Sequence, residues 1–206
     1  MNVIWPLIHA ERKALAADLE GLTEAQWESP SLCTEWTIRD VVAHMTATAK
    51  MTPAKFPVKL VKSGFSLKKM QARDIAAELG GSAADTLSRF KSVLTASTSP
   101  PGPKATWLGE VVVHSEDIRR PLGISREYPS EATTQVAQFY QGSNLIIGAK
   151  KRIAGLALSA TDTTWTHGSG AAVSGPIASI ILGMTGRKAG LDDLEGEGVD
   201  VLRGRP

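Results

Sequence analysis

The sequence holds a single cysteine, Cys33, in 206 residues. An internal disulfide is excluded, and a reducing cytoplasm is the expected compartment. No apolar run approaches the roughly 20 residues that a membrane span needs. Ile177–Met184 comes nearest and is far too short, so no membrane partner is expected. No basic region followed by an apolar stretch opens the chain, and a secretory signal is not expected. The net charge is only +2, which gives no electrostatic case for nucleic acid. Aromatic residues are scarce at 5%, yet five of them are Trp: large anchors at a few places rather than an aromatic groove.

What is present is an ordinary soluble composition, 42% hydrophobic and 21% charged, in a chain long enough to bury a core. Residues 3–19 read as helix, with Ile4, Ile8, Leu15 and Leu19 at helical spacing and Gly21 behind them. Residues 28–36 are rich in turn formers and read as a loop. A helix then starts cleanly. Thr37 followed by Asp40 has the spacing of a capping box, and Ile38, Val41, Val42 and Met45 form its apolar stripe. His44 falls about 60° from Val41, on the flank of that stripe.

Residues 53–69 carry Lys55, Lys59, Lys62, Lys68 and Lys69 without an acid, among Pro53, Pro57 and Gly64. They read as a mobile loop or short broken helix, a solvated connector in preference to an anion-attracting lid. Residues 70–96 give a third helical pattern, interrupted at Gly80-Gly81. A fourth follows over 105–120, stopped by Pro121 and Gly123, and a fifth over 130–149. Beyond Lys151 the period drops to two. Residues 156–160 and 164–167 suggest a hairpin, 170–175 a third strand, 176–185 a short apolar helix and 196–202 a last strand. The chain thus reads as a helical bundle over 1–150 and a small α+β element over 151–206.

Three residue types on two helices attract attention. Glu110, His114 and Asp117 fall on one arc of the fourth helix, since residues three, four and seven apart stack on one side. Glu110 and His114 suit one ion held from adjacent turns, as bundles hold metals. Asp117 suits an acceptor for an imidazole N–H. With His44 this is the ligand set of a catalytic divalent metal with an open position. On the residues alone the plainer alternatives stand: a solvated Glu-x-x-x-His pair, and at His44 a hydrogen-bonded core imidazole. Cys33 has no basic neighbour in its loop and reads as a structural thiol. Gly168-Ser-Gly170 reads as a turn, His167 as a structural strand residue, and no nucleophile elbow is present.

Two segments carry a resemblance that joins these signals. Pro30-Ser-Leu-Cys-Thr-Glu-Trp-Thr-Ile-Arg-Asp-Val-Val-Ala-His44 and Trp107-Leu-Gly-Glu-Val-Val-Val-His-Ser-Glu-Asp-Ile-Arg-Arg-Pro-Leu-Gly123 resemble the two ligand segments of the mycothiol-dependent maleylpyruvate isomerase family. Residues 155–186 resemble that family's small C-terminal domain. The resemblance implies a mainly α fold, a DinB-like four-helix bundle followed by a small α+β C-terminal domain. It implies His44, Glu110 and His114 as metal ligands, zinc as the expected divalent metal, and mycothiol as thiol cofactor in an actinobacterial cytoplasm. Arg73, in Met70-Gln-Ala-Arg73, and Arg187, after Met184-Thr-Gly, resemble active-site arginines that would bind a cofactor or substrate carboxylate. With Asp117 as proton relay they complete the expected catalytic set. The expected activity is a metal-dependent isomerase or thiol transferase acting on a small-molecule electrophile. A metal hydrolase and a non-catalytic sensing module on the same bundle are the alternatives. The lysine segment and the compact C-terminal domain would reshape the substrate pocket.

Overall fold

The computed structural model describes residues 4–145 and 147–206. Val3, the expected start of the first helix, and Ile146, within the expected fifth, lie outside them. The chain forms two compact units, Met1–Ser125 and Arg126–Pro206.

The first unit is helical: α1 (Ile4–Leu19), α2 (Glu24–Trp27), α3 (Ile38–Lys50), α4 (Lys55–Lys62), α5 (Leu67–Leu79), α6 (Ala83–Lys91) and α7 (Lys104–Arg119). The third helical pattern divides at Gly80, whose φ of 70° ends α5, and Ser82 caps α6. Counting α5 and α6 as one broken helix leaves a four-helix bundle with α1, α3 and α7. The central helix, α3, packs on α5, α6 and α7, while α1 packs on α7 and α6. The start of α3 is fixed by reciprocal bonds: Asp40 Oδ2 accepts from the Thr37 N–H at 2.9 Å, and Thr37 Oγ1 accepts from the Asp40 N–H at 3.2 Å. That cap sets where His44 falls, two turns on. Ile38, Val41, Val42 and Met45 are all buried, as their spacing requires.

The lysine segment is more ordered than its composition suggests. Lys55–Lys62 is helix α4, and its missing acids come from α5, where Asp74 pairs with Lys59 at 2.5 Å. Arg73 Nη1 donates to the Lys62 carbonyl at 2.6 Å and closes the end of α4.

The second unit contains α8 (Ser130–Gly142), α9 (Ala149–Arg152), β1 (Leu156–Ala160), β2 (Thr166–Gly168), β3 (Ala171–Gly175), α10 (Ile177–Met184), a 3-10 turn (Lys188–Asp193) and α11 (Gly198–Arg203). The expected division at 150/151 therefore moves to 125/126. The change of period marked where strands begin, not where packing changes. Helix α8 buries Ala132, Val136, Ala137 and Tyr140 and packs on the apolar α10, which places it with the sheet. The expected last strand over 196–202 is also corrected. Only Glu195 bridges the sheet, to Ser174, and the chain then turns into α11, which buries Val199 and Leu202.

The sheet has order β2-β1-β3, with β2 antiparallel and β3 parallel to β1. Going from β2 to β3, the chain must cross the start of β1 within two residues. Gly168 and Gly170 make that crossing with φ of 81° and 120°, and a Cβ on either would strike the backbone carbonyl of Leu156 or Gly155. Gly168-Ser-Gly170 is therefore a crossover turn. Gly170→Ala should destabilise the chain by about 2–4 kcal/mol, since it combines a forbidden φ with a backbone clash. Denaturant unfolding checks this, and a loss below about 1 kcal/mol would show that the crossing yields without strain.

No helix among the described residues is long and apolar enough to cross a membrane.

Candidate metal centre

Helices α3 and α7 lie against each other and bring the three candidate ligands together. His44 Nε2 is 3.8 Å from Glu110 Oε1. One ligand atom from each of His44, Glu110 and His114 lies within 4.8 Å of the other two. The imidazole rings of His44 and His114 meet edge to face with centroids 5.0 Å apart. All three side chains are largely withdrawn from solvent, with exposures of 16%, 9% and 14%.

The loop before α3 forms a second wall. Residues 28–37 fold back on themselves: Pro30 bridges Thr37, the Ser31 N–H donates to the Trp36 carbonyl at 3.0 Å, and Glu35 takes a left-handed φ of 72°. This sets the Trp36 ring 5.1 Å from His44 and 6.4 Å from His114, centroid to centroid. The loop also grips α7, where the Leu32 N–H donates to the Asp117 carbonyl at 3.0 Å.

Asp117 is fully buried one turn beyond His114, and its Oδ2 lies 2.9 Å from His114 Nδ1. With Nδ1 so engaged, Nε2 is the nitrogen left to face an ion. Cys33 Sγ donates to the same Oδ2 at 3.0 Å and lies 3.6 Å from His114 Nδ1.

The charges of the site pull in opposite directions. Burial, then the nearby His114, hold the His44 imidazole neutral down to about 3. Burial also works against charge on His114. The hydrogen bonds to Asp117 and Cys33, with the negative charge of Asp117, outweigh it and raise His114 to about 10. Burial lifts the Glu110 carboxyl above its ordinary range, and His114, Arg12 and the Thr48 hydroxyl pull it only partly back. Arg12 is itself buried in α1 and donates to the Ala96 carbonyl at 2.9 Å.

Glu110 decides whether the set fits a cation. Both its carboxylate oxygens are buried, and neither has a partner at hydrogen-bonding geometry among the described residues. A buried carboxylate left in that state is costly, and a positive ion is its natural complement. Two imidazoles and one carboxylate suit zinc, and equally iron, nickel or manganese.

The other two expected site residues are the arginines. Arg73 is exposed on α5, with its guanidinium turned to the Lys62 carbonyl. Arg187 belongs to the second unit and donates to the Thr185 carbonyl at 3.1 Å. Cys33, Trp36 and Arg12 were not expected at the site. For Cys33, chain neighbours were the wrong guide, because the histidine that matters arrives from 81 residues away. Trp36 stood within the quoted motif, but nothing in spacing alone says which way a loop tryptophan faces.

Comparison with known proteins agrees with this architecture. The profile of the mycothiol maleylpyruvate isomerase N-terminal domain matches residues 8–99. Crystal structures of the mycothiol-dependent maleylpyruvate isomerase and of a histidine-to-alanine mutant of it are similar to this chain at 16% identity and a TM-score of 0.62. Each comparison covers 94% of this chain and 91% of that one. No curated protein matches the sequence. Residues 8–99 thus match the mycothiol maleylpyruvate isomerase N-terminal domain, and the chain shares the fold of the mycothiol-dependent maleylpyruvate isomerase structures.

Proposed function

We propose that this chain is a metal-dependent enzyme that uses mycothiol, as an isomerase or thiol transferase acting on a small electrophile in a reducing cytoplasm. The observation that carries the metal part is the buried Glu110 carboxylate beside two imidazoles, with no partner at hydrogen-bonding geometry among the described residues. The domain match and the fold support mycothiol as the thiol. His44, Glu110 and His114 would hold the ion. A divalent ion held by three protein ligands supplies an open position and the charge that makes an entering thiol a thiolate near neutral pH.

The chain's own residues prepare that position. Asp117 fixes the His114 ring through Nδ1. Burial keeps His44 neutral, so its lone pair is available without a competing proton. The Trp36 ring stands beside both imidazoles and gives that flank of the site an apolar wall. An attacking thiolate would add to a double bond and be expelled after rotation in an isomerase; in a transferase it would stay attached, with a proton taken up at the neighbouring carbon or a leaving group such as chloride expelled. Arg73, which donates to the Lys62 carbonyl, and Arg187, which donates to the Thr185 carbonyl, are the arginines that would bind a cofactor or substrate carboxylate.

The test is elemental analysis of the purified chain, followed by turnover of maleylpyruvate and of a chlorinated aryl electrophile with and without mycothiol. The expected result is about one divalent ion per chain and mycothiol-dependent turnover, both lost in His44→Ala. Turnover without any thiol would overturn the thiol part and favour activated water. A wild-type chain that is inactive after metal loading, or that turns over as fast as His44→Ala, would overturn the enzyme reading.

A further inference from the structure

We propose that Cys33 is a positioning residue for the metal ligand His114, acting through Asp117. The inference rests on His114 holding an ion. Asp117 Oδ2 faces two donors at once, His114 Nδ1 at 2.9 Å and the Cys33 thiol at 3.0 Å. A thiol is a weak donor to a neutral acceptor, but an ionised carboxylate strengthens the bond. The carboxylate that aims the imidazole is thereby aimed itself.

The backbone around Cys33 is built for that task. Its N–H donates to Ser31 Oγ at 3.0 Å, and its carbonyl accepts from the Trp36 N–H at 3.1 Å. Next to it, the Leu32 N–H donates to the Asp117 carbonyl at 3.0 Å. The loop thus clips Asp117 twice, by main chain through Leu32 and by side chain through Cys33. The same loop carries Trp36 beside both imidazoles. Cys33 therefore links the loop that walls the site to the ligand that the site depends on.

A direct ligand role is the competing use of the same thiol, because Cys33, His114 and Asp117 also bring ligand atoms within 4.8 Å of one another. The hydrogen bond of His114 Nδ1 to Asp117 argues against it, since that nitrogen and that oxygen are already spent on each other.

The experiment compares the full-length wild type with Cys33→Ser, which keeps a donor, and Cys33→Val, which keeps the bulk and loses it. Zinc affinity is read by chelator competition, and the cobalt-substituted protein by its absorption spectrum. Outer hydrogen bonds to metal ligands are worth about 10–100-fold in affinity, so a residue one bond further out should be worth roughly tenfold. Cys33→Val should bind zinc roughly tenfold more weakly and change the cobalt bands, with Cys33→Ser within about threefold of wild type. Equal affinity in Cys33→Val and wild type overturns the proposal, as does a Cys33→Ser that falls as far as Cys33→Val. A sulfur-to-cobalt charge-transfer band in the wild type makes Cys33 a ligand and overturns it too. A wild type that binds neither metal instead sinks the metal-site reading itself.

Discussion

Glu110→Met is expected to lose metal binding and, in its metal-free form, to be more stable than the wild type. The two halves of this result have one cause. Glu110 is buried with both oxygens unpartnered at hydrogen-bonding geometry among the described residues. Without an ion, the fold bears the desolvation of a carboxylate, which His114, Arg12 and the Thr48 hydroxyl offset only in part, while His44, 3.8 Å away, is held neutral and adds nothing. Methionine has nearly the same length and bulk and no polar atom to leave unsatisfied. Removing an unsatisfied buried group should raise metal-free stability by about 1–3 kcal/mol, less whatever His114 and Arg12 lose with their neighbouring charge. Losing a direct ligand should weaken zinc binding by more than the ~100-fold that an outer hydrogen bond can cost. Denaturant unfolding after dialysis against chelator reads the first quantity, and competition with a coloured chelator the second. A structural Glu110 gives the opposite pattern: Glu110→Met would be the less stable protein, and metal uptake would not change. That outcome would remove the main support for a metal centre.

The parts of this molecule that could be read from sequence are those governed by short-range rules. Thr37 and Asp40 close a capping box because the residues lie three apart, whatever surrounds them. The arc of Glu110, His114 and Asp117 follows from helical geometry in the same way. The hairpin of β1 and β2 was legible because alternation flanks Thr161-Asp-Thr163, a short turn. What failed was decided by distant partners. Helix α8 looks like a fifth bundle helix, but its apolar face is claimed by α10, more than thirty residues later. The lysine segment looks like an unpaired connector because Asp74, which neutralises Lys59, belongs to the next helix. Residues 196–202 have enough valine and leucine for a strand, yet beside β3 the chain makes a single bridge, at Glu195, and then closes as α11. The site divides along the same line. His44, Glu110 and His114 were suggested by helix position and joined by resemblance. The hydrogen bond from Cys33 to Asp117 joins residues 84 apart and has no local signature at all.

Zinc affinity should rise about tenfold per pH unit between pH 6 and pH 9, roughly a thousandfold in all, because binding must expel the His114 proton. In the metal-free protein Asp117 and Cys33 hold that proton up to about 10, against the effect of burial. An ion at Nε2 needs the nitrogen's lone pair, so one proton leaves for each ion bound at any pH below that value. His44 adds nothing to this slope, being neutral above about 3. The raised Glu110 carboxyl can steepen only the acid end. The same residues fix how metal-free stability depends on pH. His114 binds its proton more tightly folded than unfolded, so its contribution is complete below the ordinary value of 6.5 and is lost as pH rises toward 10. His44 binds its proton less tightly folded, so unfolding is favoured as pH falls from 6.5 toward 3. Between them the two histidines place their best joint contribution near 6.5, and Glu110 adds a loss on the alkaline side of the ordinary carboxyl range. Asp117→Asn separates this account from a general effect of pH on the protein. It removes the charge that holds the His114 proton against burial, so the rise in affinity should end at or below the ordinary imidazole value, about 6.5, instead of continuing to pH 9. The measurement is a series of competition titrations with a chelator whose own protonation is corrected for. An affinity that stays flat from pH 6 to 9, or an Asp117→Asn profile that climbs like the wild type's, would show that His114 does not give up its proton to the metal.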